Sequence, residues 1–318
     1  MTALDRTRLT GPSAPFIAPP ALRPGATIGV AALSGRVDPF RLDGGIAHLA
    51  ALGYRVREAS NLRLRHGDFA GDDEARARGY RALVTDPGVD AVFFARGGWG
   101  AARVLDLLEP AEIAAHPKIH MGGSDLTTLF AYLQKHARLI GFHGPMVAVD
   151  WAAPDPGAPR ETWEGVLQGR EQAVPIAASQ VVRAGAASAP VVGGCLSMLV
   201  ALEGTPEAVA TEGRIVFWED VNEEIYRLDR MLTQWKRAGR FEGAAGVIIG
   251  ALKNIRHNGK DDARALSDLL SEHFGDAPFP VVRDWPAGHG RPNRALPLGG
   301  PLSIDTARGV ARIGRSVA

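Results

Sequence analysis

The sequence predicts an α/β fold: a parallel sheet with helices on both faces, followed by a second α/β unit. Three observations predict it. Short apolar runs of strand length alternate with helical stretches of about 10–15 residues between 27 and 142. The alternation breaks between 150 and 190, where Pro154, Pro156, Pro159, Pro175 and an Ala/Gly/Ser-rich run near 183–189 have the composition of a connecting region. It then resumes. The 318 residues, 46% hydrophobic and 22% charged, suffice for one large domain or two ordinary ones.

The elements follow in order. Residues 1–21 mix Pro, Ser, Thr and charges and read as an irregular arm. Residues 27–33 form an unbroken apolar run, as in a strand buried on both faces. A helix over 40–52 should stop at Gly53, which suits a left-handed position after the last turn. A strand is expected at 54–59. The helix at 72–84 opens with acidic residues that complement its dipole and ends before Pro87. Strands at 89–95, 118–121 and 139–142 then alternate with helices at 100–108 and 126–136. Ligands of such a sheet bind outside the carboxyl ends of its strands. Domain limits of 22–150 and 190–318 follow, with 151–189 between them. The second unit should hold strands at 190–192, 214–218, 246–252, 280–284, 302–305 and 310–313. Its clearest helix is 223–238, with Ile225, Leu228, Met231, Leu232 and Trp235 on one face.

Composition narrows the function. A net charge of +1 leaves no basic footprint for nucleic acid. One cysteine, Cys195, excludes an internal disulfide framework and a Cys-rich zinc site, and no His-Glu-x-x-His pattern is present, so neither metal nor cofactor is expected. No apolar run nears the ~20 residues that cross a bilayer. Residues 1–20 lack a secretory pattern, and the cytoplasm is the expected compartment.

Four segments can carry chemistry. In Met121-Gly122-Gly123-Ser124-Asp125 a strand meets a helix, and such a corner presents a hydroxyl beside the free N–H groups of the helix start. An N-cap serine is the simpler reading of this segment alone. Arg96-Gly97-Gly98-Trp99-Gly100 lets backbone approach a ligand closely, or is a plain turn. Its spacing fits neither a dinucleotide loop nor a phosphate loop. Glu219-Asp220 ends a buried-type strand; the pair is either catalytic or caps the helix that follows. His289 lies between two glycines, Gly288 and Gly290, where no core packing holds it, and it is the best-placed general base of nine histidines. His143, ending another strand, is its main competitor. Cys195 after Gly193-Gly194 could be a thiol nucleophile, although a buried inert cysteine is the plainer reading.

Together these segments resemble the L,D-carboxypeptidase family of serine peptidases, which includes murein tetrapeptide carboxypeptidases and microcin-immunity amidases. The resemblance covers about residues 22–300. It rests on Arg96-Gly97-Gly98-Trp99-Gly100, Gly123-Ser124-Asp125, Phe142-His143-Gly144-Pro145-Met146, Glu219-Asp220 with Tyr226-Arg227-Leu228-Asp229-Arg230-Met231-Leu232, and Gly288-His289. Two departures stand out: Cys195 where the family often has Asn, and Ala32-Leu33-Ser34 where it usually has Ala-Pro-Ser.

The resemblance implies a flavodoxin-like N-terminal domain, a smaller α/β C-terminal domain and a site between them. Ser124 would be the nucleophile, His289 the base and Glu219 the residue that orients the imidazole. The N–H groups of Asp125 and Gly98 would form the oxyanion hole. Arg96, Gly97 and Trp99 would bind substrate, with Arg96 facing its terminal carboxylate. The implied substrate is a muropeptide that loses terminal D-Ala in cell-wall recycling, and the implied assembly is a homodimer. Cleavage of a peptidyl- or aminoacyl-nucleotide is the nearer alternative. A non-catalytic protein binding a phosphate ligand at Gly97–Gly100 is the farther one.

Overall fold

The computed structural model describes residues 15–152 and 158–318. Most of the expected arm, and Pro154 and Pro156 of the expected connection, lie outside them. The first half alternates as expected: β1 (Thr27–Ala31), α1 (Pro39–Ala51), β2 (Arg55–Glu58), α2 (Asp73–Thr85), β3 (Ala91–Phe94), α3 (Pro110–Ala115), β4 (Ile119–Gly122), α4 (Thr127–Tyr132) and β5 (Gly141–His143). Local chemistry sets these limits. Asp38 and Asp72 accept the N–H groups of Arg41 and Ala75 at 3.0 and 2.7 Å and so cap α1 and α2. Gly53, at φ +92°, ends the turn after α1 as expected. Residues 100–108 depart from expectation: Ala101–Leu107 wind as a tighter 3₁₀ coil, and its start is tied down by the Asp125 carboxylate, which accepts the Ala101 N–H at 2.8 Å.

The segment 151–189 is more than a tether. It carries α5 (Glu164–Leu167), β6 (Gln172–Pro175), β7 (Val181–Arg183) and the start of β8 (Ala186–Cys195). Trp151 and Trp163 pack on each other and on Phe93 with centroids 5.1 to 6.0 Å apart, each pair adding about 0.5–1.5 kcal/mol beyond area burial. The Pro- and Ala/Gly/Ser-rich composition hid these anchors.

The second half adds α6 (Leu196–Ala201), β9 (Ile215–Val221), α7 (Ile225–Arg237), β10 (Gly246–Lys253), a small hairpin of β11 (Arg256–His257) and β12 (Lys260–Asp261), α8 (Ala263–Phe274), β13 (Val281–Val282), β14 (Leu296–Leu298), β15 (Pro301–Asp305) and β16 (Val310–Ile313). Leu228, Leu232 and Trp235 of α7 are buried, with Ile225 and Met231 against the same core.

The first five strands lie in the order β2-β1-β3-β4-β5, all parallel, which is the flavodoxin order. β8, β9, β10 and β13 form a second parallel run. β14 joins them, antiparallel to β5 and parallel to β8, within one 14-stranded sheet. The two runs therefore have opposite senses, yet Ser124 after β4, His143 of β5, Val221 of β9 and Lys253 of β10 line one cavity. Among the described residues no helix is long and apolar enough to cross a membrane.

Candidate active site

Ser124 stands where β4 gives way to α4. Gly123 is fully extended, and Ser124 turns into the left-handed region at φ +59° before a short 3₁₀ turn leads into the helix. A non-glycine residue there is strained by about 1–3 kcal/mol, a conformation that clusters at functional sites. The corner projects the side chain away from the sheet. Gly97 comes down on it so closely that a Cβ would lie 2.7 Å from Ser124 Cβ, 2.9 Å from its Oγ and 3.1 Å from the Asp125 nitrogen. Only a glycine fits. Gly98, next in the loop, is at φ +113°.

Glu219 is fully buried near the end of β9, between β8 and β10. His289 follows Gly288 in the loop from β13 to β14. Its Nδ1 lies 2.6 Å from Glu219 Oε2, and its backbone N–H donates to the same oxygen at 3.1 Å. The carboxylate thereby selects the tautomer with hydrogen on Nδ1 and leaves Nε2 as the basic nitrogen. Gly288, at φ +109°, allows the approach, since a Cβ would fall 2.7 Å from that oxygen. The loop is stitched down elsewhere: Ala251 N–H donates to Ala287 at 2.9 Å, and Asn293 accepts from Gly288 N–H at 3.1 Å while donating to Asp150 at 3.4 Å.

The electrostatics suit a base and its orienter. Burial alone would raise the Glu219 carboxyl, but the two imidazoles beside it, His289 at 2.6 Å and His143 at 3.6 Å, outweigh burial and hold it below the usual carboxylate range. His289 moves up: burial opposes its charge, and the hydrogen bond and charge of Glu219 overcome that. Burial pushes the Asp150 carboxyl above its ordinary value.

Ser124 and His289 line one cavity of about 200 Å³. Gly123, His143, Met146, Asp150, Asn222, Lys253, Asn254 and Asn293 contribute to the same walls. Three expected site residues thus gather at one cleft from β4, β9 and the β13–β14 loop. Asp125 is placed beside Ser124, with its side chain turned into the protein toward Ala101. Gly97 abuts Ser124. Arg96 and Trp99 are not in the cavity wall: the Arg96 guanidinium donates to the carbonyls of Gly97 and Arg36 at 3.2 Å, and Trp99 is 54% exposed. Lys253 supplies the cation there instead. It closes β10, one residue past the strand expected at 246–252, and nothing in its local sequence marks it.

Asp220 has a structural task. Its carboxylate accepts the Ser197 N–H at 2.8 Å and so caps α6 from a neighbouring strand, not the following helix, which was one of the two readings of the Glu219-Asp220 pair. Burial lifts it to about 6. Burial likewise pushes the Cys195 thiol far up, which disfavours the thiolate a nucleophile needs. Among the described residues no cluster of His, Cys, Asp and Glu could hold a metal.

Fold and cleft define an α/β scaffold with a strained serine and a carboxylate-held imidazole on the walls of one cavity. The chain matches the LD-carboxypeptidase N-terminal domain over residues 28–144 and the LD-carboxypeptidase C-terminal domain over residues 188–304. It belongs to the LD-carboxypeptidase family of serine-type carboxypeptidase hydrolases. It is 33% identical over 298 residues to a probable murein peptide carboxypeptidase of Bacillus subtilis, covering 93% of each chain. It is 25% identical over 268 residues to the microcin C7 self-immunity protein MccF of Escherichia coli, covering 74% of this chain and 77% of MccF. Its structure is similar to the crystal structure of muramoyltetrapeptide carboxypeptidase from Oxalobacter formigenes, at a TM-score of 0.83 and 29% identity, over 92% of this chain and 100% of the other.

Proposed function

We propose that this chain is a murein tetrapeptide L,D-carboxypeptidase that releases terminal D-Ala from muropeptides through a Ser124–His289–Glu219 triad. The observation that carries the reading is the 2.6 Å pairing of His289 with buried Glu219 on the rim of a cavity that Ser124 also lines. The unit 22–150 brings the nucleophile, and the unit 190–318 brings the base and its carboxylate.

His289 Nε2 takes the Ser124 hydroxyl proton as Oγ attacks the scissile carbonyl. The N–H groups of Asp125 and Gly98 hold the developing oxyanion, each worth about 2.7–4 kcal/mol in a comparable site. His289, steadied as a cation by Glu219, gives the proton to the leaving D-Ala amine, and water then hydrolyses the acyl-enzyme. Lys253 meets the terminal carboxylate of the substrate, since Arg96 is committed to two backbone carbonyls. A cytoplasmic homodimer belongs to the same reading and is supported by the family resemblance alone.

The test is mass spectrometry of a muramoyl tetrapeptide incubated with wild type and Ser124→Ala. Loss of D-Ala with wild type only is the expected result. Equal release by both proteins overturns the nucleophile. Cleavage of an aminoacyl-nucleotide in place of the tetrapeptide would move the chain to the immunity type that MccF represents.

A further inference from the structure

Of the two oxygens of Glu219, only one has a hydrogen-bond partner among the described residues. Oε2 takes both contacts from His289. Oε1 is buried with none. Facing it at 3.6 Å is Nε2 of His143, a residue 1% exposed whose two ring nitrogens are also without partners. Three buried polar atoms without a protein partner in one spot are costly unless water or a further contact of the protein satisfies them.

The ring is held in place from several sides. His143 ends β5 and pairs with Gly122 of β4, two residues before Ser124. Phe217 of β9 meets the ring edge-on, centroids 5.0 Å apart. Gly123 leaves it room, since a Cβ there would lie 3.0 Å from Nε2. His143 therefore sits between the strand that delivers the nucleophile and the strand that delivers the carboxylate, and it reaches the wall of the cavity.

We propose that His143 is a positioning residue for the triad: its Nε2–H donates to Glu219 Oε1 as the cleft tightens on substrate, clasping the carboxylate between two imidazoles. The inference rests on the triad reading above. A contraction of a few tenths of an ångström closes the gap, and catalytic hydrogen bonds are often long before substrate binds. The second donor fixes the carboxylate plane, and hence the direction of His289. It also disperses the carboxylate's charge, which tempers the hold of Glu219 on the His289 proton. The other groups facing His289 are Asp220 of β9 and Asp150 after β5; Cys195 also faces Glu219.

The test measures the rate at which a fluorophosphonate modifies Ser124 as a function of pH, which needs no knowledge of the substrate. Wild type, His143→Phe and His143→Gln are compared, with His143→Leu replacing the phenylalanine variant if that fails to fold. Expected is a folded His143→Phe that reacts at least about tenfold slower, with its acid limb at higher pH, and a His143→Gln that keeps most of the rate because its amide still donates. A phenylalanine variant with wild-type rate and limb overturns the inference, as does equal loss in both variants. Wild type that leaves Ser124 unmodified removes the triad and this inference together. Wild type that is modified but releases no D-Ala removes only the substrate reading, and the His143 comparison still decides the inference.

Discussion

The two parallel runs of the sheet build their shares of the site differently. The β1–β5 run makes its share locally: two glycines and a left-handed serine, consecutive in the chain, form the corner at Ser124. The β8–β13 run makes its share at long range, joining Glu219 to His289 across 70 positions through one 2.6 Å contact and a loop stitched to the end of β10. A local device is fixed by backbone geometry. A long-range one depends on burial, on neighbouring glycines and on a carboxylate kept ionised by its partners.

Removing the local device should have the largest effect. Ser124→Ala is expected to lower kcat by about 10⁴-fold or more while leaving the thermal midpoint unchanged. Breaking the long-range device comes next. Glu219→Gln keeps the shape but loses control of the tautomer, and kcat should fall by about 10³–10⁴-fold with KM little altered. A loss as small as tenfold would mean that the carboxylate only supports the fold. Gly97→Ala probes the join between the two, because the added methyl would overlap Ser124 Cβ at 2.7 Å. Displacing the nucleophile in this way should cost about 10²-fold in kcat/KM.

The pH profile sharpens the comparison, because the proposed base, His289, enters with the loop that follows the second run. The His289 pKa is raised above 6.5, and only the neutral ring can accept the serine proton. Stopped assays of kcat/KM across pH should therefore show activity lost as pH falls through a value above 6.5. A limb below 6.5 would contradict the assignment of the base. The smallest effect is expected at the rim: Lys253→Met should raise KM about tenfold with kcat held, by loss of one charge-assisted contact.

Much of this was legible in the sequence, for reasons that differ by element. The alternation of β1 to β5 shows because both-face burial writes continuous apolar runs, and α7 shows through its i, i+3, i+4 spacing. α8 carries the same spacing at Leu266, Leu269, Leu270 and Phe274 and is missing from the sequence expectations all the same. β14 could not be read: three residues after a proline-rich loop carry no period, and their pairing with β5 is set by the whole sheet. The gathering of Ser124, Glu219 and His289 was reachable through family resemblance, not through periodicity. The orphaned pair of His143 and Glu219, and the entry of Lys253 into the cavity, are products of tertiary packing that no local pattern encodes.

The most direct measurement is a mutant cycle on Ser124 and His289 that follows D-Ala release. If the two runs form one catalytic unit, Ser124→Ala and His289→Ala each remove nearly the whole rate enhancement of the triad, and the double variant is no slower than either. If the two losses multiply instead, serine and imidazole act separately, and the account of a site assembled across the two halves is wrong.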